Sequence, residues 1–184
     1  VNTSRSGFAR RVAVFFAVCL SAIAGFYLSL VFSAKGLDTT QKQTVGAAIE
    51  LLDRNGFTRE AFLLRRLAVF RSEDHWLNAS VEKENAFAAA NFPFEIVTIY
   101  PDFYVYPIDD VERAAILLHE AKHLEGADEN DAYEFVWRNR HKLGWTYQQY
   151  GNSEVWNGVR RQTRDHVPEL FVCEVNPSGD CTEN

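Results

Sequence analysis

The sequence predicts an α+β fold, mainly helical with a small sheet and preceded by one transmembrane helix. Residues 12–34, reading VAVFFAVCLSAIAGFYLSLVFSA, contain no charged side chain. Much of the remaining chain carries apolar residues at the spacing of one helical face. Residues 92–106 differ, being rich in β-branched and aromatic side chains and interrupted at Pro101-Asp102.

A helix needs about 20 apolar residues to cross a bilayer, and residues 12–34 supply that run. The apolar core of a signal peptide is shorter, about 7–15 residues. Cleavage after Ala34 would also put the bulky Phe32 at the −3 position, where a small residue is preferred. A retained anchor is therefore favoured over a cleaved signal. Arg10-Arg11 alone does not make a twin-arginine signal. Arg5, Arg10 and Arg11 precede the span, while Lys35 follows it with Asp38 close by. The positive-inside rule then leaves residues 1–11 in the cytoplasm, 12–34 in the membrane, and a domain over residues 37–170 with a tail at 171–184 outside, in a periplasmic or extracellular space.

The 148 residues from 37 to 184 suffice for one domain with its own core, so folding needs no disulfide framework. The formal net charge of −6 and the lack of a basic stripe interleaved with aromatics argue against nucleic acid as a partner. Cys19 falls inside the span as a small apolar residue. Cys173 and Cys181 flank a Pro-Ser-Gly turn, where an extracytoplasmic location permits a short disulfide loop; two free thiols are the alternative.

In chain order, residues 40–54 bring Val45, Ala48, Ile49 and Leu52 to one helical face, and Asn55-Gly56 is a stop. Thr58 is positioned to cap a second helix through Arg71, with Phe62, Leu63, Leu67 and Phe70 as its buried stripe. Residues 72–80 read as a loop containing His75 and the glycosylation sequon Asn78-Ala79-Ser80, and 81–90 as a third helix. Two strands follow, one in FPFEIVTIY and one in FYVYP. Asp109 and Glu112 have the spacing of a capping box opening a helix at Asp110. Ala114, Leu117 and Ala121 make one apolar stripe of that helix and Ala115 and Leu118 another, while Ile116 shares a face with His119 and His123. Trp137, Trp145 and Trp156 suit the packing of C-terminal helices against it.

The chemistry concentrates in His119-Glu120-Ala121-Lys122-His123. Side chains four residues apart on a helix stand one above the other, so both imidazoles can reach a single ion. Zinc accepts neutral histidine nitrogens and, at catalytic sites, keeps one coordination position for water. Glu120 projects beside that position as a general base. A third ligand requires a turn, because a continuous helix would carry Glu129 about 15 Å along the axis from His119. Gly126 can supply the left-handed residue that ends the helix, and Asp128 can cap the next one. Glu129 then returns toward the histidines. Glu134 is the rival for the same role, and Asp128 and Asp131 read as capping or solvated groups.

HEAKHLEGADE resembles the zincin superfamily of metallopeptidases, and its spacing is similar to H-E-x-x-H-x-x-G-x-x-(H/D) of the metzincins. The ENDAYEF segment that follows resembles the E-x-x-A-x-x-F segment of ImmA/IrrE-type peptidases. The chain has no methionine, so it lacks the metzincin Met-turn. The resemblance implies His119, His123 and Glu129 as zinc ligands, Glu120 as base, and an edge strand near residues 94–100 or 103–106 aligning an extended peptide. It also implies an oxyanion-stabilising group, for which Tyr147, Tyr150, His141 and His166 are available downstream. The expected function is a membrane-anchored zinc metallopeptidase acting on a peptide or protein substrate. The competing expectation is a non-catalytic, zinc-holding, membrane-tethered domain that binds a protein partner.

Overall fold

The computed structural model describes residues 3–77, 87–174 and 176–183. Helix α1 (Thr3–Ser33) has no polar face, and over Gly7–Ser33 it is long and apolar enough to cross a membrane. Most of it is exposed, but Leu30 near its far end, and Ala34 and Leu37 just beyond it, are buried against the rest of the chain. Together with the disulfide described below, this apolar helix points to a membrane or secreted location.

Helix α2 (Thr39–Arg54) opens at a closed capping box. Asp38 accepts from Gln41 N at 2.8 Å, and the Gln41 side chain accepts from Asp38 N at 2.9 Å. Val45, Ala48, Ile49 and Leu52 are buried on one face, as their spacing predicts. Gly56 adopts φ +78, the left-handed geometry expected of the stop.

Helix α3 (Thr58–Arg66) is shorter than its sequence suggests and packs on a different stripe. Thr58 lies inside it and Phe57 is the N-cap. Phe57, Ala61 and Leu64 face inward, whereas Phe62 and Leu67 are 56% and 50% exposed. The helix stops because Val69–Arg71 form strand β1, pairing in parallel with β3 (Ile96–Ile99) from Val69↔Ile96 to Arg71↔Thr98. Long-range pairing of β-branched and aromatic residues outweighs local helical periodicity here.

The predicted helix over 81–90 is likewise corrected. Ala88–Asn91 form strand β2, antiparallel to β3 with Ala88 opposite Ile99 and Asn91 opposite Ile96. Alanine favours helix in isolation, but its small side chain also lets a strand lie close to a helix. Residues 81–86 and the sequon at 78–80 lie outside the described residues. The sheet order is β1-β3-β2, so buried β3 is central and β2 an edge.

The second predicted strand is a helical turn, α4 (Asp102–Val105). Pro101 sits at φ −53 and ψ −35, already helical, and a single anchor, Phe103, is completely buried.

Helix α5 (Asp110–Leu124) is the centre of the fold. Ala114, Ala115, Leu117, Leu118 and Ala121 are all buried among α2, α3, β2 and helix α6 (Glu129–Asn139). Asp109 caps it, accepting from Val111 N at 2.9 Å. Glu112 does not close a box on Asp109. One of its oxygens accepts from Ile108 N, and the other accepts from Trp145 Nε1 and the Ser153 hydroxyl. A fully buried carboxylate thus ties the start of α5 to the chain around α7 (Tyr147–Tyr150) and α8 (Glu154–His166). The rings of Trp137, Trp145 and Trp156 contact one another across this region and are almost wholly buried. His75 is in an irregular segment, yet fully buried.

After α8, a 3-10 turn (Pro168–Phe171) leads into the tail, where Cys173 and Cys181 are disulfide-bonded. The short loop delivers Asp180 to the interior, 2.9 Å from Arg140 Nη2 and 2.9 Å from Trp137 Nε1. Arg140 and Asp180 are both buried, so each cancels a charge that would otherwise be stranded. Replacing Asp180 with alanine leaves the guanidinium its neutral acceptors, Trp137 O and the Thr182 hydroxyl, and the more exposed carboxylate of Glu183 at 3.5 Å. We expect Asp180→Ala to destabilise the fold by about 3 kcal/mol, measured by denaturant unfolding.

Candidate metal centre

The local sequence builds the site around one chain reversal. Helix α5 ends at Leu124, and Gly126 follows at φ +84. Gly126 N donates to His123 O at 2.9 Å and Ala127 N to Lys122 O at 3.0 Å, the paired bonds of a Schellman motif. Asp128 then accepts from Asp131 N at 3.0 Å and starts α6, whose first residue is Glu129. Two capped ends, one glycine apart from the normal run of conformations, bring the carboxylate back over the histidines.

Three side chains meet there. His119 Nε2 and His123 Nε2 are 3.0 Å apart, and the Glu129 oxygens lie 3.2 Å from the first and 3.5 Å from the second. Ligands held at 2.0–2.1 Å in tetrahedral array are spaced by roughly 3.3 Å, so these separations suit one small cation. His119, His123 and Glu129 therefore form a group able to hold a metal ion. Glu134, the rival acid, faces elsewhere and accepts from Arg138 Nε at 2.7 Å.

The imidazole of His123 is oriented by its other nitrogen. Nδ1 lies 3.0 Å from Ala127 O, and a carbonyl can only accept, so Nδ1 carries a proton and Nε2 is the nitrogen that faces the cluster. His119 Nδ1 is buried and has no hydrogen-bond partner among the described residues. Its ring packs against His123 and, at 4.3 Å between centroids, against Tyr133.

Electrostatics sharpen the picture. Hydrogen bonds from His119 and His123 hold the Glu129 carboxyl well below its usual range, against partial burial. Burial opposes charging of His123, but hydrogen bonds to Glu129 and Ala127 outweigh it and raise the imidazolium to about 9. Burial pushes Glu120 upward, opposed by the charges of His119 and His123 and by the Ala90 N–H. That amide donates to Glu120 Oε2 at 2.6 Å, linking the α5 carboxylate to strand β2.

These groups line a cavity of about 260 Å³, with Ala88–Ala90 along one wall and Tyr133 along another. The strand beside the cavity is thus the edge strand β2. Of the two segments expected there, 94–100 contains the central strand β3 and 103–106 falls mostly within the helical turn α4; the alanine strand β2 takes the edge instead. Among the four downstream candidates, Tyr147 is 62% exposed, His141 is exposed, and Tyr150 donates to Asp109 at 2.8 Å. His166 alone approaches, stacked at 5.0 Å on Tyr133 and 3.0 Å from Asn130 Oδ1. Tyr133 itself was not among the expected residues. Its signal was present: it follows Glu129 by four positions, on the same face of α6.

Searches against models of known protein families, curated proteins and solved structures find no match.

Two outcomes follow. Alanine at Gly126 meets no close atom, the nearest being Phe92 Cζ at 3.9 Å, but must adopt a left-handed backbone. Gly126→Ala should cost about 1 kcal/mol in denaturant unfolding and weaken metal binding by displacing Glu129. In the metal-free chain, His123 is raised from its ordinary 6.5 to about 9. Its contribution to stability is then complete below pH 6.5 and lost as pH rises through 9. Unfolding titrations between these limits should show that decline, and Glu129→Gln should flatten it.

Proposed function

We propose that this chain is a membrane-anchored, zinc-dependent hydrolase acting on peptide bonds. The supporting observation is the convergence of two imidazole nitrogens and a carboxylate at 3.0–3.5 Å. Three lone-pair donors aimed at one point repel unless a proton or a cation lies between them. A set of two histidines and one glutamate suits zinc and is the donor set of hydrolytic zinc sites. His119, His123 and Glu129 would hold the ion, which when bound would polarise a carbonyl and lower the pKa of a water molecule to about 7.

The chain's own residues divide the remaining tasks. Glu120 lines the same cavity, and its burial favours the protonated form while the histidines favour the carboxylate. That balance fits a group that accepts a proton from water and later delivers it to the leaving amine. The Ala90 amide keeps the carboxylate in register with β2. As an edge strand along the cavity, β2 is positioned to pair with an extended peptide. Burial, then Glu129 and Glu120, raise the Tyr133 phenol, so it keeps its proton and can donate to an oxyanion. An extracytoplasmic location for the domain is supported by the disulfide and by the arginines preceding the span.

The test is metal content and cleavage together. The full chain should hold about one zinc, and Glu120→Gln should keep the metal while losing about 10²–10⁴-fold in peptide cleavage. Undiminished cleavage by Glu120→Gln would refute the mechanism. A fourth protein ligand seen by X-ray absorption would favour a closed, structural zinc site.

A further inference from the structure

The irregular segment after β1 and the β2–β3 turn both lean on α1. Phe26 of α1 contacts the Trp76 ring edge-on at 5.9 Å and the Phe94 ring at 5.7 Å. Trp76 Nε1 donates to the Ser29 hydroxyl at 3.3 Å, and Trp76 N lies 3.3 Å from the Ser33 hydroxyl. A bilayer entered just after Arg11 takes about 20 residues of helix, so its outer boundary falls near Val31. Phe26 then lies roughly 7 Å inside that boundary, and whatever touches it shares its depth.

The polar groups fit this level. Arg71 Nε donates to Val31 O at 3.0 Å, and the Lys35–Glu73 pair lies at 3.9 Å beyond the end of the span. Below them are exposed apolar side chains: Trp76 is 52% and Leu77 45% exposed. A tryptophan whose indole N–H is satisfied by a serine is suited to the border between headgroups and acyl chains.

The same turn reaches the metal-binding group. Phe94 N donates to Asn91 O at 2.9 Å, closing a turn that also holds the exposed Phe92. Phe92 borders a shallow pocket shared with Ala90, His123, Gly126 and Glu129. One four-residue turn thus joins the level of Phe26 to the mouth of the cluster.

We infer that Trp76, Leu77, Phe92 and Phe94 are seated in the outer leaflet of the bilayer, so that the cluster opens at the membrane surface onto polypeptide segments just emerging from it. This rests on the anchored-hydrolase reading for its substrate, but its geometry can be tested separately. Trp137, Trp145 and Trp156 are buried within the domain, which leaves Trp76 as the tryptophan open to lipid.

The full chain would be reconstituted in phosphatidylcholine vesicles containing phospholipids brominated either near the headgroup or near the bilayer centre. The expected result is flotation with the vesicles and loss of the Trp76 share of the emission, greater with shallow bromines, and absent in Trp76→Phe. Flotation without quenching would overturn the inference while leaving the anchor intact, and failure to float would overturn both.

The substrate part is read with one peptide placed directly after a synthetic transmembrane helix or beyond a long flexible linker. The zinc-loaded chain in the same vesicles should cut the near peptide at least about tenfold faster. Equal rates would overturn that part. Cleavage of neither, with zinc bound and Trp76 quenched, would overturn the peptidase reading and leave the membrane seat standing.

Discussion

The reversal at Gly126 is the constraint on which the candidate centre depends. Helix α5 places two imidazoles on one face by spacing alone, but two histidines do not make a metal-binding group with an acid. The carboxylate arrives because the helix ends in a left-handed residue and restarts immediately, under an aspartate cap, in another direction. The carbonyl freed at Ala127 by that same turn orients His123 through Nδ1. Termination of a helix, ligand placement and ligand tautomer are three consequences of one local geometry.

The surroundings hold this geometry rigidly. Helix α5 is buried on most sides, and its first turn is fixed by Glu112, a carboxylate wholly inside the protein and bonded to Ile108, Trp145 and Ser153. Three interlocked indoles join α6, α8 and the segment between them, and Trp145 ties that cluster to Glu112 of α5. Even the tail contributes, since the disulfide loop carries Asp180 inward to neutralise Arg140. All three side chains of the group stand on helices, so the short loop between them has to supply only the reversal and the orientation of His123.

The sheet plays a different part. Its alanine-rich edge strand lies against α5, where larger side chains would hold the backbone away. Close approach lets the Ala90 amide reach Glu120 and leaves the strand bordering the cavity. At its other end the β2–β3 turn lies against the apolar helix through Phe94. The turn beside Ala90 therefore links the cluster to α1.

What the sequence determined by itself was local. An uncharged apolar run makes a long helix, a helical period makes α2 and α5, and four-residue spacing puts His119 above His123. Glycine and aspartate at the right offsets end one helix and begin the next, so even Glu129 was legible. Tertiary structure decided whatever depended on partners distant in the chain. Val69–Arg71 became a strand because Ile96–Thr98 lay ready to pair with it, and Ala88–Asn91 because β3 had a second open edge. Glu112 left its expected capping role because Trp145 and Ser153, far along the chain, offered it buried donors. Tyr133 came to cover His119 only once α6 had folded back. Helical periods and caps are written in neighbouring residues, whereas strand pairing and buried polar contacts acquire their energy only when remote segments meet.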